Sequence, residues 1–318
     1  MLKYEKIKHI KSTGVKQMAQ QAKLSKIEFQ KQFSSEEVCE QQLFRMKWPN
    51  GYHCEKCGSE HYGVIRTRKL PLYQCKQCGY QATVTVNTVL EKTHTELTKW
   101  FIAIYSMATD KRGYSAVQCA KDIEVSYPTA WLMLHKIREA MEKRDESYNL
   151  VGIVEMDDGY FGGSNEGGKR GRGTDKTKVL VGLSLDDNNR PKFAKMEVIS
   201  DIKGETIASF AERNILPGSK ISSDAFRSYN ALNVKYQHTA IKYEPMENSE
   251  HLKWLHVLLS NAKAYIQGTF HGLDKKHLQR YLNEFCYRFN RRSFEGQGFF
   301  RLLASCSSCK TITFNELT

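Results

Sequence analysis

Val151-Gly-Ile-Val-Glu-Met-Asp-Asp-Gly-Tyr-Phe-Gly-Gly163 is the stretch whose reading decides the fold. Its apolar positions (Val151, Ile153, Val154 and Met156) read as a strand buried in a sheet, and it ends in Asp157 and Asp158 before a Gly-rich turn. Carboxylates are rarely buried unless paired or bound to a metal, so an acid at the end of a buried strand is poorly placed for stability alone. A second strand, Ser219-Lys-Ile-Ser-Ser-Asp224, ends the same way. Two acid-tipped strands in one domain point to a divalent-cation site; solvated aspartates at two strand ends are the plain alternative.

Outward from the first strand, residues 164–178 form a loop rich in Gly and basic residues. Lys169, Arg170 and Arg172 in it suit a phosphate backbone, which Gly lets the chain approach closely. Lys178–Leu185 and Pro191–Ile199 form a hairpin around Asp186-Asp187-Asn188-Asn189. There follow a helix over Gly204–Asn214, the strand ending at Asp224, a helix over Ala225–Leu232, a fifth strand at His238–Tyr243, and helices over His251–Gly268 and Asp274–Arg291. Three consecutive strands, helix, strand, helix, strand, helix is the ribonuclease H-like order: an α/β fold on a mixed five-stranded sheet, its first three strands antiparallel. The ends of the first and fourth strands lie side by side at the centre of such a sheet, so Asp157 and Asp224 meet. Carboxylates that meet repel unless a cation lies between them, and Mg²⁺ or Mn²⁺ there would also serve phosphodiester chemistry. A third ligand is expected on the helix after the fifth strand. His256 and Lys263 are seven residues apart on it, about 20° around the axis, and project from one face; Asn261, about 140° from His256, is the other uncharged candidate, and the two cannot both point at Asp157 and Asp224.

Toward the N-terminus, residues 1–32 read as a basic arm, and Ser34-Ser35-Glu36-Glu37 as a capping box opening a helix that stops at Trp48-Pro49. Cys54-x-x-Cys57 and Cys75-x-x-Cys78, with short alternating strands between and after them, can give four thiolates to one tetrahedral zinc, which makes residues 33–92 a zinc ribbon with a preceding helix. Residues 93–149 are helical by periodicity. Ser115–Ile123, a tight turn, then Tyr127–Arg138 with Pro128 in its first turn give a helix-turn-helix-like outline, whose second helix would bring Lys136 and Arg138 to DNA. Residues 142–149 read as a linker to the catalytic domain, 150–303, and residues 304–318 as a C-terminal tail.

The net charge of +13, from 48 Lys and Arg against 35 Asp and Glu, favours a polyanionic partner, nucleic acid before an anionic membrane surface. No apolar run approaches the roughly 18 residues of a membrane span, and the N-terminus has no apolar signal region. Nine cysteines, four of them in the two matched Cys-x-x-Cys pairs of the ribbon (Cys306-x-x-Cys309 has no partner pair and reads as unligated), fit a reducing cytosol with metal-bound thiolates.

Taken together, the zinc ribbon, helical region, acidic strand with Gly162-Gly163, Ser222-Ser223-Asp224, His256 and Lys263 with six residues between them, and Gly268-Thr-Phe-His-Gly272 resemble the insertion-sequence transposases of the DDE superfamily. Within these the chain is similar to the branch with an N-terminal zinc ribbon (the family numbered fifteen-ninety-five), whose C-terminal helical signature Tyr281–Arg292 also matches. The resemblance implies a cytoplasmic, nucleoid-associated enzyme. It would cut transposon ends in double-stranded DNA and join them to a target, working as a homodimer or larger assembly. By position it makes Asp157 and Asp224 the first two acids that bind Mg²⁺ or Mn²⁺, and Lys263 the basic residue that contacts DNA near the cut. The superfamily's third acid is usually Glu; here His256 stands in that place, and Asp158 stands where relatives often carry Glu. A DNA-binding regulator with an inactive core is the rival reading.

Overall fold

The structure, a computed structural model, describes residues 24–163, 174–242, 244, 247, 250–294 and 296–317. Lys169, Arg170 and Arg172 lie outside the described residues, as does most of the N-terminal arm. Two compact units are formed, one from Met1–Lys143 with Ser293–Thr318, the other from Arg144–Arg292.

The first unit opens with α1 (Lys26–Gln32), held by a capping box of Ser25 and Glu28, and α2 (Glu36–Lys47), whose N-cap is Ser35. The box expected over residues 34–37 does not form, because the third helical position is Val38, whose N–H donates to Ser35 Oγ. Glu36 is used elsewhere. Its carboxylate accepts from Leu97 N (2.9 Å) and Thr98 N (2.7 Å), supplying the cap that α3 (Leu97–Thr109) lacks from its own N-cap residue. The ribbon is a three-stranded antiparallel sheet, β1 (Tyr62–Ile65), β2 (Leu72–Cys75) and β3 (Gln81–Ala82), in that order. Phe44 and Trp48 of α2 pack on Tyr73, and Tyr52 packs on Trp48 and Tyr62, so the ribbon's small core is almost wholly aromatic.

The helix-turn-helix outline is formed by α4 (Ala116–Asp122) and α5 (Tyr127–Glu146), with Glu124 at φ 50° in the turn. Rather than stopping at Arg138, α5 runs on through most of the expected linker.

The second unit is built on β4 (Ile153–Phe161), β5 (Thr177–Leu185), β6 (Pro191–Ile199), α6 (Gly204–Asn214), β7 (Lys220–Asp224), β8 (Gln237–Ile241), α7 (Lys253–Thr269) and α8 (Leu278–Asn290). Residues 227–234 form a 3₁₀-helix instead of the expected α-helix. The sheet order is β6-β5-β4-β7-β8; β4, β5 and β6 are antiparallel neighbours, while β7 runs parallel to both β4 and β8. This is the ribonuclease H-like arrangement read from the sequence, with β4 central. Each sheet face is covered: Val154, Met156 and Ile221 pack with Ile207 and Phe210 of α6, and Phe161, Val179 and Val181 with Leu255, Leu259 of α7 and Leu282 of α8. Period-two alternation along β4 therefore turns Glu155, Asp157, Gly159 and Phe161 toward α7.

The free edge of β6 is occupied by side chains. Gln279 accepts from Val198 N and donates to Met196 O, and Asn290, three helical turns later on α8, accepts from Ala194 N and donates to Ala194 O. Arg292 donates to the carbonyls of Lys192 and Pro191. The last helix, α9 (Gly298–Ser308), belongs to the first unit, so the expected domain end at residue 303 moves back to 292. The cause is its apolar face: Phe299 packs against Phe29, Phe33 and Phe101.

Gly159 leaves room for α7 on the sheet, since a Cβ there would lie 2.5 Å from Leu259 Cδ2. Gly159→Val should force Leu259 and the helix outward at a cost of about 1–3 kcal/mol, the usual range for overpacking. Chemical denaturation of the variant checks this; an unchanged midpoint would mean that α7 is not seated as described.

Candidate functional site

Two groups of metal-ligating side chains stand out. In the ribbon, Cys54, Cys57, Cys75 and Cys78 have all their sulfurs within 4.8 Å of one another. Cys54 Sγ lies 3.5 Å from Cys78 Sγ, and Cys57 Sγ 3.6 Å from Cys75 Sγ. Zn–S bonds of about 2.3 Å in a tetrahedron give sulfur–sulfur edges of about 3.8 Å, so the set fits one zinc ion after small adjustments. Each pair sits on a tight knuckle closed by a left-handed glycine. Gly58 (φ 75°) donates to Cys54 O and Gly79 (φ 71°) to Cys75 O. The knuckle also aims N–H groups at sulfur: those of Cys78 and Gln77 hold the Cys75 thiol down to about 6, favouring the thiolate that a metal needs. Four thiolates leave no open position, so this centre is structural.

The second group lies where β4, β7 and α7 meet. Met156 pairs with Ser223 in parallel register, so Asp157 and Asp224 are the next residues along two adjacent strands and turn to the same face. His256, in the first turns of α7, places Nε2 3.2 Å from Asp157 Oδ2. The sequence left His256 and Asn261 as alternatives. The structure brings His256 to Asp157, whereas Asn261 is exposed further along the helix. Burial pushes the Asp157 carboxyl above the usual range; the His256 contact and the Asp158 N–H pull it back, and the charges of Asp158 and Asp224 push it up again. His256 is raised in turn, chiefly by its bond to Asp157. Two carboxylates that repel and an imidazole make a donor set that suits Mn²⁺ or Mg²⁺. Among the described residues only the cysteine set has every ligand atom within 4.8 Å of the others.

The surroundings brace this group. Asp224 Oδ1 accepts from Phe226 N, the carbonyl of Ser223 is met by His251 Nε2 at 3.0 Å, and the Ser223 hydroxyl by His238 Nε2 at 2.8 Å. The Asp158 carboxylate turns to the other side of the sheet, where Tyr160 OH donates to it, while its backbone N–H donates to Asp157 Oδ1 at 2.8 Å and so supports the group from behind. Lys263 lies two turns beyond His256 with Nζ 5.9 Å from the centre of the Phe161 ring, at the end of β4.

Glu155 was passed over in the sequence as one residue in an apolar run. It is 8% exposed, on the same strand face as Asp157, and Oε2 accepts from Leu255 N at 3.1 Å. Burial raises its carboxyl above the usual range. The available signal was spacing: two residues before Asp157 is the same side of the strand. Arg138, by contrast, is a correction. It is 2% exposed and falls on the inward stripe of α5 with Leu134, Ile137 and Met141, so its guanidinium is not open to DNA; Lys136 is half-buried.

The family model described as ISXO2-like transposase domain matches residues 149–290, and that described as transposase zinc-ribbon domain matches residues 34–81. An uncharacterized protein in transposable element ISH50 of Halobacterium salinarum is 26% identical over 250 residues, covering 76% of this chain and 80% of its own length. An uncharacterized transposase-like protein of Haemophilus influenzae is 28% identical over 103 residues, 31% of this chain and 83% of its own. Among solved structures, a pre-cleavage Mos1 transpososome is 10% identical with a TM-score of 0.26, covering 65% of this chain and 78% of that one.

The purified chain should contain about one equivalent of zinc. Cys57→Ser should lose it and loosen the first unit while the second keeps its cooperative unfolding; full zinc content in the variant would refute the shared site. A second expectation concerns Asp157. Its folded-state pKa is raised, so ionisation destabilises the metal-free fold, and that penalty is absent at low pH and grows as pH rises through the folded value. Asp157→Asn should therefore raise the melting temperature of the metal-free protein by a few degrees at pH 8, with the gain shrinking as pH falls. A lower melting temperature at pH 8 would show that the His256 contact outweighs burial.

Proposed function

Because the chain belongs to the ISXO2-like (IS1595) transposases, we propose that it binds transposon ends in double-stranded DNA, cuts them, and joins the freed ends to target DNA. The observation that carries this reading is the convergence of Asp157, Asp224 and His256 on one face of the sheet. A bound Mg²⁺ or Mn²⁺ supplies Lewis acidity and a metal-activated nucleophile. Asp157, Asp224 and His256 would hold it. Water attacks the phosphodiester at the transposon end, breaking the bond to the 3′-oxygen; the 3′-hydroxyl then attacks a target phosphodiester, and another 3′-oxygen leaves. Lys263 would contact the DNA backbone beside the cut. Lys169, Arg170, Arg172 and Lys136 would add phosphate contacts, consistent with the net charge of +13. Work on two ends calls for a homodimer or larger assembly in the cytoplasm at the nucleoid. No helix among the described residues is long and apolar enough to cross a membrane.

Labelled end DNA incubated with the protein and Mg²⁺ or Mn²⁺ tests the reading on a denaturing gel. Asp157→Asn and Asp224→Asn should abolish cutting while end binding persists. His256→Ala should lower it by at least about 10- to 100-fold, the loss typical of residues that merely support a ligand, and far more than Asn261→Ala. A wild type that binds ends and never cuts them in either metal would be a regulator instead.

The pH profile gives an independent check. His256 has its pKa raised above 6.5 and ligates only when neutral. Cleavage should therefore rise as pH climbs above about 6.5, and His256→Glu should move the rise to lower pH. A profile identical in the two proteins would remove His256 from the ligand set.

A further inference from the structure

The helix that carries His256 has a poorly made start. Its N-cap, Leu252, is apolar, adopts a left-handed conformation (φ 54°) and offers no side-chain cap. The first N–H groups of a helix need acceptors from elsewhere, and a buried start without them is costly. Leu255 is fully buried, and its N–H finds Glu155 Oε2 at 3.1 Å. That carboxylate comes from β4, in the strand below, and meets the positive end of the helix. The chain just before α7 is tied down a second time, where His251 Nε2 meets Ser223 O at 3.0 Å. One tie thus runs to the strand of Asp157, two residues before it, and the other to the strand of Asp224, one residue before it. Leu255 is the immediate neighbour of His256.

We propose that Glu155 is a positioning residue: from β4 it caps the first turn of α7 and so fixes His256 against Asp157. The inference rests on the reading of Asp157, Asp224 and His256 as metal ligands, and it makes Glu155 an acceptor for backbone N–H rather than a ligand itself. The distinction has a chemical signature. A hydrogen-bond acceptor survives replacement by Gln, whose amide oxygen can take the same N–H, whereas a carboxylate ligand to a hard cation does not.

The full chain with its zinc should be titrated with Mn²⁺, free ion being read by electron paramagnetic resonance, and amide exchange over residues 253–257 followed by mass spectrometry. Glu155→Ala is expected to weaken Mn²⁺ binding by about 10- to 100-fold and to speed exchange at the start of α7. Glu155→Gln should stay within about threefold of wild type in affinity and keep slow exchange, the rescue expected of an acceptor role. Equal loss of Mn²⁺ binding in the Ala and Gln variants with exchange unchanged would overturn the proposal and make Glu155 a ligand. Wild-type behaviour of Glu155→Ala in both measurements would also overturn it. Should the Ala variant not fold, Glu155→Asp, one carbon short of Leu255 N, takes its place with the same expectations. If wild-type protein takes up no Mn²⁺ beyond Asp157→Asn, the metal reading fails. Exchange then decides alone, faster in the Ala variant than in the Gln variant upholding the cap and equal rates rejecting it.

Discussion

The parallel pairing of β4 with β7 is the interaction on which the second unit depends. Parallel neighbours cannot be joined by a tight turn, so the chain must make a long excursion between them. Here the excursion is the β5–β6 hairpin and α6, and it returns with Met156 opposite Ser223. From that register the rest follows. Two aspartates far apart in sequence become adjacent, face the same helix and raise each other's free energy when ionised. The ladder and the apolar layers on both faces outweigh that repulsion, which is how a fold can hold a local arrangement that would not form by itself.

Much of this was legible in the sequence. The acid-tipped strand ending at Asp224, the hairpin, the paired Cys-x-x-Cys knuckles and the strand order all express short-range rules of alternation, turn chemistry and ligand spacing. The first strand, read as ending at Asp158, instead runs on to Phe161 because Gly159–Phe161 continue the ladder with β5, so Asp157 lies mid-strand. Helix geometry put His256, and not Asn261, on the face of Lys263, whose role the resemblance implies, and in the structure it is His256 that lies against Asp157. What escaped were features that need a partner distant in sequence. Glu155 lies in an apolar run, and its use becomes visible only when Leu255 is brought over it. Glu36 looked like part of its own helix's cap yet caps another helix. Arg138 looked like a basic residue on a recognition helix, but the phase of the buried stripe along α5 turns it inward. Phe299 and its neighbours carry no local mark of which domain they complete.

The ribbon and the second unit are stabilised by different means. The second has a sheet with apolar layers on both faces, enough burial to stand on hydrophobic grounds. The ribbon has three short strands and one small cluster of aromatic rings. Its four sulfurs close the gap between Cys57 and Cys75, and metal binding there is folding free energy. Chelation should thus act on the ribbon and leave the second unit standing.

The amide side chains of Gln279 and Asn290 along β6 have a consequence for self-association. An open sheet edge is a general-purpose adhesive, since any extended backbone can continue the ladder. Here the donors and acceptors that a visiting strand would need are already taken by the protein's own α8 and by Arg292. At that side, copies of the chain can meet only through shape and side-chain chemistry, which are specific to the right geometry. Indiscriminate strand-to-strand association through this edge is thereby disfavoured.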